Sequence, residues 1–184
     1  MSWQEQCDYF GKLGSQFPLR KHRILFAGSG TQPAAVRLAD ADKGIAEHGI
    51  YWAACKNRAE ADFLCSIINS ETARAAAVQW QSEGQWGARH FDKAVFNLPI
   101  PLFDPTNPLH AGLAKAAAKS EKLAALVQVK EGEHFTRTRK RIRQALIANG
   151  VSGKIETLVA ELIGVAPVAI VSAEAPDPEE ADAD

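Results

Sequence analysis

The first apolar segment of the chain, Arg23-Ile24-Leu25-Phe26-Ala27, stops at Gly28-Ser29-Gly30, the pattern of a strand and the break after it. Pro33-Ala34-Ala35-Val36-Arg37-Leu38 reads as a second strand, with Pro at its start, where a missing N–H does least harm. Ile50-Tyr51-Trp52-Ala53-Ala54-Cys55 reads as a third. From there the period changes. Asn57 is a good N-cap, Glu60 follows at capping-box distance, and Ala61, Leu64, Cys65 and Ile68 recur at helical spacing, which predicts a helix over 58–69. A second helix is predicted over 70–81, starting at Ser70. Trp3, Cys7, Tyr9 and Phe10 predict a short helix over 3–15.

Residues 82–105 break this regularity, with Gly84, Gly87, Pro99, Pro101 and Pro105. Leu98 to Phe103 must be extended, because each Pro pushes its predecessor out of the helical region. Beyond Pro108 an alanine-rich run places Leu109, Leu113, Ala116, Ala117, Leu123, Leu126 and Val127 on one side of a long helix. A basic helix over 134–148 carries Arg137, Arg139, Lys140, Arg141 and Arg143 around a stripe of Ile142, Leu146 and Ile147, and Gly150 ends it. A short amphipathic helix follows over 154–163. The expected fold is α+β. A small mixed β-sheet body with flanking helices covers 1–105, a helical extension 106–164, and a disordered acidic tail 165–184.

Composition narrows the function classes. At 46% hydrophobic and 23% charged, the 184 residues exclude a wholly disordered chain and a fibrous repeat. No run approaches the ~18 apolar residues of a membrane span. Met1-Ser2-Trp3-Gln4 carries no secretion signal, and Cys7, Cys55 and Cys65 are too few for a disulfide scaffold, so a cytoplasmic location is expected. The net charge of −1 hides an asymmetry. Glu174 to Asp184 hold six acids and no base; removing them leaves 16 acids against 21 Lys and Arg, a net of +5 on residues 1–173. A basic body of this kind permits nucleic-acid binding without demanding it. The tail reads as a solvated terminus.

Candidate chemistry is sparse. Gly28 and Gly30 follow a strand, as cofactor-binding glycines do in a methyltransferase, but Pro33 and a strand-like stretch replace the helix such a fold needs. A hairpin or loop is the expected reading. The chain also lacks an Asn-Pro-Pro-aromatic or Asp-Pro-Pro-aromatic segment. His22, His48, His90, His110 and His134 are separated by at least 20 positions and form no metal-ligand pattern, so surface or capping roles and no metal site are expected. Cys65 reads as a buried packing residue. The segment 81–93 joins Gln81, Gln85, Trp86, Arg89 and Lys93 to two glycines. It reads either as a packed turn anchored by Trp86 or as a binding loop, in which Gln reads adenine and Arg reads guanine or grips phosphate. The basic run Arg137, Arg139, Lys140, Arg141 reads either as a solvated helix face or as a phosphate-contacting one.

Several segments in a fixed order resemble the C-terminal specificity region of TaqI-like N6-adenine DNA methyltransferases of restriction-modification systems, which is related in layout to type I specificity subunits. They are Arg23-Ile24-Leu25-Phe26 with Gly30-Thr31-Gln32-Pro33-Ala34-Ala35, Ile50-Tyr51-Trp52-Ala53-Ala54, Glu60-Ala61 with Leu64-Cys65 and Ile67 to Thr72, Gln81 to Lys93, and Leu98-Pro99-Ile100-Pro101. The resemblance covers about residues 9–127. It implies a non-catalytic target recognition domain that closes with a glycine-containing loop, a short helix and an extended Leu-Pro-Ile-Pro stretch, followed by a helix leading away over 110–127. The family's catalytic domain lies N-terminal to this region. The resemblance therefore implies a separately encoded specificity chain, a split gene product or a remnant.

The expected function is sequence recognition on double-stranded DNA through Gln81, Gln85, Trp86, Arg89 and Lys93. Arg137, Arg139, Lys140, Arg141, Lys115 and Lys119 would add phosphate contacts or face a partner. No catalytic residue or cofactor is expected on this chain. S-adenosylmethionine and methyl transfer would belong to a catalytic partner chain. Two alternatives stay open: a protein-interaction module or remnant of a split methyltransferase, and an autonomous S-adenosylmethionine-dependent enzyme using Gly28 and Gly30.

Overall fold

The computed structural model describes residues 8–29, 33–47, 49–81, 83–84, 87–88, 91 and 93–170. Strands β1 (Arg23–Ala27), β2 (Ala35–Arg37) and β3 (Ile50–Ala54) fall where the apolar runs place them. They form one sheet with β1 in the middle, and Leu25 lies opposite Val36 on one side and Trp52 on the other. Both pairings are antiparallel, where a mixed sheet was expected. A parallel neighbour needs a crossover of a dozen or more residues, usually helical. Here only residues 28–34 separate β1 from its neighbour β2, and neither 28–34 nor 38–49 carries a helix among its described residues.

The two faces of β1 are covered differently. Ile24 and Phe26 enter the main apolar core. On the other face Arg23 is buried, its Nη1 and Nη2 donating to the Gly44 and Asp42 carbonyls at 2.7 and 2.9 Å. Gln16 exchanges two 2.7 Å bonds with the Ala46 backbone. The backbone of 42–46 thus partners both Arg23 Nη atoms and the Gln16 amide in this thin cover, while Arg23 Nε is buried without a partner among the described residues.

Helix α1 (Arg58–Ile68) begins as its cap predicts: the Asn57 side chain accepts from Glu60 N at 2.9 Å, while the Glu60 carboxylate reaches back to Lys56 N at 2.5 Å. Helix α2 (Glu71–Ala77) starts under Ser70, but it is shorter than the 70–81 expected. Its last turn tightens into a 3₁₀ turn at Val78–Trp80 and Gln81 is extended. Val and Trp lose side-chain freedom in an α-helix, and here Val78 and Trp80 are exposed, so no packing offsets that loss. The helix expected over 3–15 is not seen in its described part. Two 3₁₀ turns, Tyr9–Gly11 and Gly14–Gln16, take its place, with Phe10 at φ 57°. The Asp8 carboxylate takes the Leu13 and Gly14 amides, a local alternative to helical bonding.

Helices α3 (Pro108–Ala125), α4 (Phe135–Ala148) and α5 (Val151–Ile163) follow. Asn107 caps α3 and Pro108 occupies its first turn. Helix α5 begins three residues earlier than expected, because Gly150 at φ 74° both closes α4 and turns the chain into α5. Helix α1 lies between the sheet and α3, and α3 packs on α5. Phe63, Ile67, Leu113 and Val159 have no exposed surface, so residues from both sides of position 105 share one core. His110, expected at the surface or in a cap, is buried against the Phe63 and Phe103 rings, and its Nδ1 accepts from Asp104 N at 3.0 Å. An imidazole body is apolar enough for that site once its ring nitrogen is bonded. The stretch 98–103 is extended as its prolines require, with Leu98 buried and Ile100 against the core. Residues 165–170 form neither helix nor strand, and the acidic part of the tail lies outside the described residues.

Candidate nucleic-acid interface

The segment 81–93 contains a minimal hairpin, β4 (Glu83–Gly84) paired with β5 (Gly87–Ala88), with Glu83 opposite Ala88 and Gly84 opposite Gly87. In the sequence Gln85 and Trp86 stand between the two strands. Gln85, Trp86 and Arg89 lie outside the described residues. Buried Ala77 precedes the hairpin, and buried Phe91, Ala94, Val95 and Leu98 follow it. Gln81 is half-buried at its entry, and its backbone N–H donates to Val78 O. Lys93 is exposed at its exit, at the N-cap of the 3₁₀ turn Ala94–Asn97.

The basic run divides between faces of α4. Arg137 and Lys140 are exposed on the side away from the rest of the fold. Arg139 and Arg143 face the other way, over a cleft of about 800 Å³ lined by β2, α1, α3, α4 and α5. The Arg139 guanidinium stands 5.0 Å from the Phe135 ring centroid, and Arg143 pairs with Glu71 at 3.7 Å. Arg141 serves the fold: Nη2 donates to Gln128 O at 2.7 Å and to the Glu133 carboxylate at 2.5 Å.

Inside the cleft, Arg37 is nearly buried between Asp62 at 2.9 Å and Glu121 at 2.7 Å, and Arg58 contacts both acids. Burial works against the Arg37 charge, but Glu121 and Asp62 outweigh it and raise its pKa above the ordinary value. Cys65 also lines the cleft. Burial first, and then Asp62, push its thiol up to about 12; burial and Glu60 push Cys55 to about 11. Both thiols stay protonated at neutral pH and are poor nucleophiles. The Asn69 amide bonds both the N–H and the C=O of Ala35, which occupies the outward-facing backbone of β2 at that residue.

The glycine after β1 has a packing role. A Cβ at Gly28 would stand 2.9 Å from the Tyr51 ring and 3.0 Å from Gly49 O. Gly30 lies outside the described residues, and so do His48 and His90. Among the described residues no group of three or more His, Cys, Asp or Glu is placed to hold a metal ion, and no helix is long and apolar enough to cross a membrane.

A second charged surface is only half visible in the sequence. Lys115, Lys119 and Lys122 share one face of α3 and, with Lys154 of α5, line a groove of about 400 Å³. The i, i+4, i+7 spacing in α3 marks its first wall; Lys154 joins only through the α3–α5 packing. No family model matches this chain, and no curated protein matches it.

Proposed function

We propose that this chain is a DNA target-recognition module that performs no methyl transfer itself and acts with an N6-adenine methyltransferase chain, which would carry S-adenosylmethionine. One observation carries the reading: the β4–β5 hairpin, which bears the candidate readers, is flanked on both sides by buried residues. A reader loop anchored at both ends loses less ordering entropy on binding. The exposed cations Lys93, Arg137 and Lys140 support the reading as sources of phosphate contact, which adds affinity without selecting sequence. The order of the segments along the chain is the reason to name a methyltransferase partner.

Fluorescence anisotropy of the full chain with labelled duplexes tests this. Affinity falls linearly in log–log form as salt rises, because bound phosphates release counterions. Arg89→Ala changes which duplex is preferred, with a discrimination loss of about 1–3 kcal/mol. Affinity indifferent to salt overturns DNA binding. Equal loss on every duplex from Arg89→Ala overturns the reader assignment. Methylation of DNA by the purified chain with S-adenosylmethionine alone overturns the division of labour.

A further inference from the structure

We infer that the acidic segment 171–184 docks in the lysine groove between α3 and α5, so that the groove is a binding surface for an acidic peptide carried on the same chain. The charged residues lining the groove are four lysines, Lys115, Lys119, Lys122 and Lys154. None of the four makes an ion pair among the described residues. The segment supplies Glu174, Asp177, Glu179, Glu180, Asp182 and Asp184 and no cation.

Position links the two. Val168 N donates to the Thr72 hydroxyl at 3.1 Å, which holds the chain against the fold on its way out. The last described residue, Ile170, places its Cδ1 3.9 Å from where a Cβ on Gly153 would stand. Gly153 lies on α5, which forms one wall of the groove through Val151 and Lys154, so the chain leaves the described structure alongside that helix. Reach is ample. Fourteen residues extended span about 45–50 Å, and the first acid comes about 13 Å after Ile170. The α3 lysines are spread over seven positions, about 10 Å of helix.

Single exposed ion pairs are weak. Tethering changes the requirement: a short flexible linker gives an effective concentration on the order of millimolar, so intrinsic binding of millimolar strength already fills the groove about half the time. The lysines would otherwise repel one another across the groove, which adds to the advantage of an acidic occupant.

The test is lysine acylation by a small activated ester, read residue by residue by mass spectrometry. Two full-length proteins are compared, the native chain and one carrying E174Q, D177N, E179Q, E180Q, D182N and D184N. All six positions lie outside the described residues, and circular dichroism of the two proteins checks that both fold alike. At low salt Lys115, Lys119, Lys122 and Lys154 react roughly twofold or more slowly in the native chain. Exposed Lys43 and Lys56 react alike in both. The difference disappears near 1 M salt, where the screening length is about 3 Å. Equal rates at the four lysines at low salt overturn the inference. So does a uniform change at every lysine, and so does protection that disappears on dilution, which would assign the occupant to another copy of the chain.

Discussion

Helices α1 and α4 both carry an apolar stripe, yet α1 buries seven of its eleven residues and α4 one of its fourteen. The difference lies in what faces each stripe. Helix α1 has the sheet on one side and α3 on the other, so even its polar Asp62 and Ser66 are enclosed. The stripe of α4, Phe135, Ile142 and Leu146, looks across the open cleft. Polar ties hold α4 instead: Arg141 to Glu133 and Gln128, Thr138 to Glu133, and Arg143 to Glu71. Amphipathicity determines which face of a helix turns inward; how deeply that face is buried depends on the neighbour it finds.

The largest expected effect breaks the better-packed member. Phe63→Ala removes a ring with no exposed surface and leaves a void among Ile67, Phe103 and His110, at a cost of about 3–5 kcal/mol. Ile142→Ala on α4 removes a half-buried side chain from the cleft wall and costs about 1 kcal/mol. Urea unfolding of the two variants measures both, and equal losses would mean that α4 is packed as tightly as α1.

The contrast also explains what could be read from the sequence. The three strands and α1 were legible because local signals agreed: the Gly28 break, the Asn57 cap and the Glu60 return. The antiparallel arrangement was only implicit, in connections without a helix. In its described part the helix expected over 3–15 failed because Asp8 and the glycines at 11 and 14 offered competing local bonds. The candidate surfaces were legible only where they lay on one element, as with Lys115, Lys119 and Lys122. The Arg37–Asp62–Glu121 cluster and the position of Lys154 bring together residues from different elements. No periodicity in one segment encodes such a meeting.

A smaller effect sharpens the account of how α4 is held. Hydrogen bonding from the Thr138 hydroxyl, then Arg141, hold the Glu133 carboxyl below the ordinary glutamate range, against the opposing effect of burial. A carboxylate with a depressed folded pKa stabilises above its unfolded value, ~4.3 for glutamate, and loses that contribution as pH falls through the lower folded value. Glu133→Gln therefore speeds amide hydrogen exchange across 128–141 at neutral pH, and the difference from the native chain begins to close as pH falls through ~4.3 and is gone below the lower folded value. A difference that persists at lower pH would mean that the charge of Glu133 does not tie this segment down.

The smallest expected effect on stability is the most informative about function. Arg137 and Lys140 lie on the exposed side of α4 and make no ion pair among the described residues. Replacing either with Ala changes stability by no more than about 0.5 kcal/mol, the usual range for surface sites. Arg139→Ala, by contrast, removes the guanidinium from the Phe135 face and costs about 0.5–1 kcal/mol. If phosphates meet the outer face of α4, Arg137→Ala and Lys140→Ala each lower the slope of log affinity against log salt by about one, with no change in the preferred duplex. Arg139→Ala, directed into the cleft, leaves that slope unchanged. An equal change in slope for all three would mean that the whole helix, and not its outer face, meets the nucleic acid. No change for Arg137 and Lys140 would leave α4 a solvated helix and put the phosphate contacts elsewhere.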